Sequence, residues 1–236
     1  MFKRNLPNML TLANLASGVL AIIALFEGRW DLILWFLGAS LVFDFLDGLV
    51  ARALGVHSEL GLQLDSMADL ISFGLAPGIA LFHTFQEAGR SGEPLPDFLP
   101  YLALLVPIFS ALRLAKFNLD DRQEEFFIGL PTPSNAILLY SLCLWAQTTS
   151  NPTTEAILLH PFFLTALSII SSLLLVAELP LMSFKIKDWS WKANRSRIIL
   201  VLGIVVLFAL LRFRALAFII PLYLLISLLF KPGKRA

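Results

Sequence analysis

The chain has 236 residues, 58% of them hydrophobic and 15% charged, with a mean hydropathy of +0.80 and a net charge of +1. Soluble domains carry about a quarter charged residues, so this composition excludes an ordinary water-soluble domain and points to membrane spans. The near-neutral balance gives no footing for nucleic-acid binding, and the single Cys143 excludes an internal disulfide and a thiolate metal cluster.

Apolar runs predict eight spans, at about 9–27, 32–53, 61–85, 99–118, 131–148, 158–181, 197–212 and 214–230. The first follows a basic start, Met1-Phe2-Lys3-Arg4. No small-residue cleavage site stands out, and Asn8, Thr11 and Asn14 interrupt the run, so a retained helix is expected rather than a signal peptide. The second span carries Asp44-x-x-Asp47-Gly48-x-x-Ala51-Arg52. After eight residues the third opens with Gly61-x-x-x-Asp65-x-x-x-Asp69 and continues through Ser72-Phe73-Gly74-x-Ala76-Pro77. The fourth ends on Arg113-x-x-Lys116-x-Asn118, and Gly129-x-Pro131-x-Pro133 reads as the start of the fifth, since proline suits a first helical turn. An aromatic and basic loop, Phe184–Arg197, suits an interfacial anchor. The last two spans are short and joined tightly at Arg212-Phe213-Arg214. The expected architecture is an all-α integral membrane protein with a six-helix catalytic core over 1–181. The remainder, 182–236, is a basic loop and a C-terminal transmembrane hairpin.

Charge placement sets the orientation. Of 18 Lys and Arg, only Arg29, Arg90, Arg212 and Arg214 fall in segments that would face outward. The positive-inside rule then puts both termini in the cytoplasm of a cell's inner membrane. Asp44, Asp47, Asp65 and Asp69 fall near the inner ends of their spans, so a site built from them opens toward the cytoplasm. The three histidines stand apart from any ligand pattern: His57 is in the connecting loop, and His83 and His160 are on the outer side.

Carboxylates at membrane depth cost about 2.5–3.5 kcal/mol each on insertion scales, which marks them as functional. Positions 44, 47, 48 and 51 form one helical stripe, and 61, 65 and 69 form another. If the stripes face each other, four negative charges collect in one small volume, which requires cations. Oxygen-only ligands suit a hard divalent ion, Mg²⁺ or Mn²⁺. Two such ions and one or two basic side chains would nearly neutralise four aspartates plus a diphosphate, and paired metals suit phosphoryl transfer. Buried salt bridges alone are disfavoured, because too few basic residues lie on these spans. The small residues Gly48, Ala51 and Gly61 suit close helix packing, or room for a base or diphosphate beside the backbone.

The motif Asp44-x-x-Asp47-Gly48-x-x-Ala51-Arg52, eight residues, Gly61-x-x-x-Asp65-x-x-x-Asp69 resembles the signature of the CDP-alcohol phosphatidyltransferase family at every fixed position. That family passes the phosphoryl-lipid part of a CDP-alcohol to a hydroxyl acceptor and releases CMP. The resemblance implies that Asp44, Asp47 and Asp65 hold metal. Asp69 would act as general base and share a metal. It also implies a CDP-lipid pocket here, with Asn8, Thr11, Asp47, Gly48, Ala51, Arg52 and Gly61 as candidates. Arg52 suits either a phosphate contact or a structural pair with an aspartate.

Three later segments, with the Asn8-x-x-Thr11-x-x-Asn14-x-x-x-Gly18 run, resemble the integral-membrane phosphatidylserine synthases within that family. They are Ser72 to Pro77, Arg113 to Asn118 and Phe127 to Pro133. The implied substrates are CDP-diacylglycerol and L-serine. Ser72, Arg113 and Lys116 are the candidates for acceptor or phosphate binding. Lys116 equally suits snorkelling to lipid headgroups, and the polar residues equally suit bonds between helices. Thr132-Pro133-Ser134-Asn135 departs from the more apolar sequence of many relatives. Other acceptors, such as glycerol 3-phosphate or inositol phosphate, would be expected to need a denser basic pocket. A divalent-cation transporter would need an acidic relay across the membrane, and none reaches the outer face. The reading is compatible with a homodimer.

Overall fold

The computed structural model describes residues 2–56, 58–91, 95–119, 127–182 and 191–230. His57, Arg122, positions 184–190 of the expected interfacial loop, and the terminal Lys231, Lys234 and Arg235 lie outside the described residues.

Helix α1, Phe2–Phe26, is 25 residues and about 37 Å long, enough to cross a bilayer. Its buried positions Pro7, Thr11, Asn14, Ser17, Ala21, Ala24 and Leu25 recur at three and four residues and make one face. That face packs along α2, Trp30–Leu54, and also against α3, Glu59–Asp69. Gly55 ends α2 in the left-handed conformation (φ 63°), where its N–H reaches the carbonyls of Ala51 and Arg52. Three residues later Ser58 caps α3, its hydroxyl accepting the Gly61 N–H at 3.0 Å. The short turn between these caps brings the second acidic stripe back toward the first.

The third span departs from a plain helix. After Asp69 the backbone widens into a π-helical segment, Leu70–Leu75, before α4, Ala76–Arg90. Here the Ala76 N–H bonds the Ile71 carbonyl, five residues back. Pro77 has no N–H for the Phe73 carbonyl, so the regular ladder is already broken at this point.

A 3₁₀ segment, Leu99–Leu104, leads into α5, Leu105–Leu119. Helix α6, Thr132–Thr148, is buried on most sides, with Asn135, Ala136, Leu139, Tyr140 and Cys143 nearly inaccessible. Proline at its second position fits the expected helix start. The span expected over 158–181 is α8, Pro161–Val176, which ends sooner than expected and is preceded by a short helix, α7, Pro152–Leu158, bent 49° from it. His160 caps α8 by accepting the Phe162 N–H at Nδ1.

Helix α9, Trp191–Leu211, begins earlier than expected, so the C-terminal part of the proposed loop is helical. A 3₁₀ turn, Arg212–Ala215, with Arg212 at φ 52°, leads into α10, Leu216–Leu229. Gly203 and Leu222 touch, and the Arg195 guanidinium lies over the Phe230 ring, so α9 and α10 double back as a hairpin. The hairpin packs on α6 around Leu130, Leu138, Leu200, Ile220 and Ile226.

Among the described residues, five helical stretches are long and apolar enough to cross a membrane, or six if the bent α7–α8 pair is one span. One stretch, Asn194–Leu229, is the folded hairpin. Helix α6, at 17 residues, is slightly shorter than those five stretches. Large apolar side chains such as Trp35, Phe45, Phe162 and Phe213 stay exposed on the outer faces. In a multi-pass membrane protein those faces meet lipid, and a helical backbone satisfies its own hydrogen bonds there. The only strand pairing described is two residues long, Phe127–Ile128 against Pro180–Leu181.

Candidate active site

The two acidic stripes converge through their side chains, although the α2 and α3 backbones are not closely packed. Helix α1 packs on both and bonds to both. On one side the Thr11 hydroxyl donates to the Asp47 carboxylate at 2.7 Å. On the other the Asn14 amide donates to Asp69 Oδ1 at 3.2 Å. The Asn14 carbonyl accepts from Ser72 at 3.0 Å and from Ser40 at 3.4 Å, which ties α1 to the π-helical turn and to α2. Gly18 lets this happen: a Cβ there would lie 2.7 Å from Ser72 Cα.

Asp44, Asp47 and Asp65 each bring one oxygen within 4.8 Å of the others. An octahedral Mg²⁺ with ligands at about 2.1 Å spans about 4.2 Å between opposite oxygens, so this spacing accepts one hard cation with little movement. The Asp44 and Asp69 carboxyl groups lie within hydrogen-bonding reach of each other, which puts Asp69 at the margin of the same cluster. Among the described residues the ion pairs are Arg29–Asp31 and Arg90–Glu87, and neither involves these four. Asp65 Oδ1 is buried with no hydrogen-bond partner. An orphaned carboxylate oxygen inside an all-oxygen cluster is what a divalent cation would satisfy, so the residues present fit such an ion.

The remaining candidates divide by environment. A Cβ on Gly48 would meet only Arg52 Nη2, at 3.9 Å, so the space over this stripe is open. Arg52 itself is exposed in the last turn of α2. Gly61 is tighter, with Asn8 Oδ1 at 3.2 Å from its Cβ position, so Asn8 and Gly61 lie side by side. Ala51 is half-buried on the same stripe as Gly48. Ser72 is buried and its hydroxyl is engaged by the Asn14 carbonyl, a bond between helices.

Arg113 and Lys116 do not share an environment despite their three-residue spacing. Arg113 is buried and donates from Nη1 to the Leu175 carbonyl at 2.9 Å, whereas Lys116 is exposed. Two contacts fix the level of α5 against the third span: Ser110 touches Gly74, and the Asn118 amide donates to Ser66 at 2.8 Å. In that antiparallel register Arg113 is level with Ile71, close after Asp69.

Sequence reasoning grouped Asn14 with general polar residues, whereas it contacts the base candidate directly. The helical spacing of Asn14 from Thr11 carried that signal. The π-helical turn was signalled only by Pro77.

The CDP-alcohol phosphatidyltransferase family model matches residues 4–181. A protein of Helicobacter pylori strain 26695, named CDP-diacylglycerol–serine O-phosphatidyltransferase, is 36% identical over 141 residues, covering 58% of this chain and 56% of that protein. Proteins of the same name from Methanocaldococcus jannaschii and Bacillus subtilis strain 168 are 35% and 34% identical, each over 58% of this chain and over 60% and 74% of their own lengths. The chain thus spans little more than half the length of the Helicobacter relative it matches. With the motif, the acidic cluster and a match from residue 4 to residue 181, the chain belongs to the CDP-alcohol phosphatidyltransferase family.

Proposed function

We propose that the protein transfers the phosphatidyl group of CDP-diacylglycerol to the hydroxyl of L-serine, giving phosphatidylserine and CMP. The observation that carries this reading is the cluster of Asp44, Asp47 and Asp65, with Asp69 beside it and an unpartnered oxygen on Asp65. The relatives' shared name supports serine as acceptor.

In this reading Asp44, Asp47 and Asp65 would hold Mg²⁺ or Mn²⁺, and Asp69 would share a second ion. When bound, such ions would neutralise the diphosphate and stabilise charge on the leaving oxygen. Open space over Gly48 receives the nucleotide, with Arg52 at its edge. Asp69 accepts the proton of the serine hydroxyl. The serine oxygen bonds to the phosphorus next to the lipid, and the bond from that phosphorus to the oxygen of CMP breaks. Asn14 holds the Asp69 carboxylate in place, and Thr11 does the same for Asp47. Arg113, at the level of the base, takes an anionic oxygen of the substrates.

The catalytic core is residues 1–181, and 182–236 adds a cytoplasmic basic loop and the hairpin of α9 and α10. The site faces the cytoplasm of the inner membrane with both termini on that side, supported by the bias of Lys and Arg.

Purified protein incubated with CDP-diacylglycerol, Mg²⁺ or Mn²⁺ and one acceptor at a time, with CMP release followed, tests the reading. Serine should support release, and glycerol 3-phosphate and inositol phosphate should not. Release with glycerol 3-phosphate but not serine would overturn the acceptor; no release with any acceptor would overturn the activity.

A further inference from the structure

The C-terminal hairpin lies beyond the segment matched by the family model, yet its contacts lead back to Arg113. Arg113 Nη1 donates to the Leu175 carbonyl, one of the last-turn carbonyls of α8 that have no partner within the helix. Gly129, at φ 75°, presses its backbone against that contact. A Cβ there would lie 2.8 Å from the Leu175 oxygen and 3.0 Å from Arg113 Nη1. The Gly129 N–H bonds the Leu179 carbonyl, and the Leu130 N–H bonds the Leu174 carbonyl. The chain that leaves α8 is therefore a strap over Arg113, stitched to the segment before α6.

Helix α10 grips the far end of this strap. The Tyr223 hydroxyl donates to the Met182 carbonyl at 2.9 Å, and the Met182 N–H reaches the Ser227 hydroxyl at 3.4 Å. Tyr223 and Ser227 are one helical turn apart on the same face, and both are buried.

We propose that Tyr223 is a positioning residue: by holding Met182 at the end of the strap that carries the Leu175 carbonyl, it fixes the guanidinium that binds an anionic oxygen of the substrates. The inference rests on the transferase reading above. The bound group is either the serine carboxylate or the phosphate of the CDP-lipid, since both present oxygens to a guanidinium.

The experiment uses the full chain carrying Tyr223→Phe, which keeps the ring and removes the hydroxyl. One substrate KM should rise about five- to tenfold, as expected for a lost hydrogen bond near a charge, with kcat within about twofold. A rise for serine identifies the carboxylate, and a rise for CDP-diacylglycerol identifies the phosphate. In an Arg113→Lys background the same substitution should change neither KM by more than about twofold, because its effect runs through Arg113. Hydrogen exchange at the Gly129 and Leu130 amides should quicken in Tyr223→Phe. Unchanged KM values, or an equal rise in the Arg113→Lys background, would overturn the proposal. If the unmodified protein released no CMP, the transferase reading would fall. The amide exchange would then decide the strap: faster exchange upholds Tyr223 as its anchor, and unchanged exchange removes it.

Discussion

Asn14 on α1 donates its side-chain amide to Asp69 on α3 across 3.2 Å, while its backbone carbonyl accepts from Ser72 in the π-helical turn. One residue thus fixes the general-base candidate and the backbone just beyond it. A carboxylate held by a neutral donor keeps its orientation without being neutralised by a cation. That suits a base close to three other carboxylates.

Replacing Asn14 with alanine should lower kcat about 10–100-fold, the range typical of partners that orient groups around a metal site. Affinity for the Mn²⁺ held by Asp44, Asp47 and Asp65 should change far less, since those three are untouched. Steady-state CMP release and a metal titration separate the two effects. An unaltered kcat would show that Asp69 needs no orienting partner.

Thr11→Val removes the 2.7 Å bond to Asp47 at nearly constant volume. The loss should appear as a higher metal requirement, about tenfold or more, with turnover at saturating metal largely retained. Titrating Mg²⁺ against the rate reads this directly, and an unshifted metal curve would count against Asp47 as a ligand.

EDTA should abolish CMP release and Mg²⁺ or Mn²⁺ restore it, because the clustered carboxylates cannot accept a diphosphate alone. Asp65→Asn should weaken metal and CDP-lipid binding together. Asp69→Asn should keep more nucleotide binding while transfer is lost. Full turnover in chelator would remove the metal from the mechanism, and a near-normal rate for Asp69→Asn would remove the base.

Two glycines should respond in opposite ways. Gly18→Ala puts a methyl 2.7 Å from the Ser72 backbone and should destabilise the protein by about 1–3 kcal/mol, read by thermal unfolding in detergent. Gly48→Ala has room and should leave stability unchanged or improved, while raising KM for CDP-diacylglycerol. An unchanged KM would place the nucleotide elsewhere.

The acidic motif was legible in one dimension because its chemistry is local. Asp44, Asp47 and Gly48, and likewise Gly61, Asp65 and Asp69, are fixed to common stripes by helix periodicity alone. The membrane character and the helix start near Pro131 were legible for the same reason, since hydropathy and proline geometry act over a few residues. Sequence spacing could not say how the stripes meet. Small residues on both suggested close α2–α3 backbone packing, whereas the folded chain ties the two together through α1, bonded to each by Thr11 and Asn14. Nor could spacing separate Arg113 from Lys116: one is buried against the Leu175 carbonyl of α8 and the other left exposed, because burial depends on neighbours that arrive from distant parts of the chain. The sequence determined which groups could do chemistry, through the short-range periodicity of a helix. Only the tertiary structure decided which of them meet, through contacts such as Tyr223 with Met182 that join positions far apart in the chain.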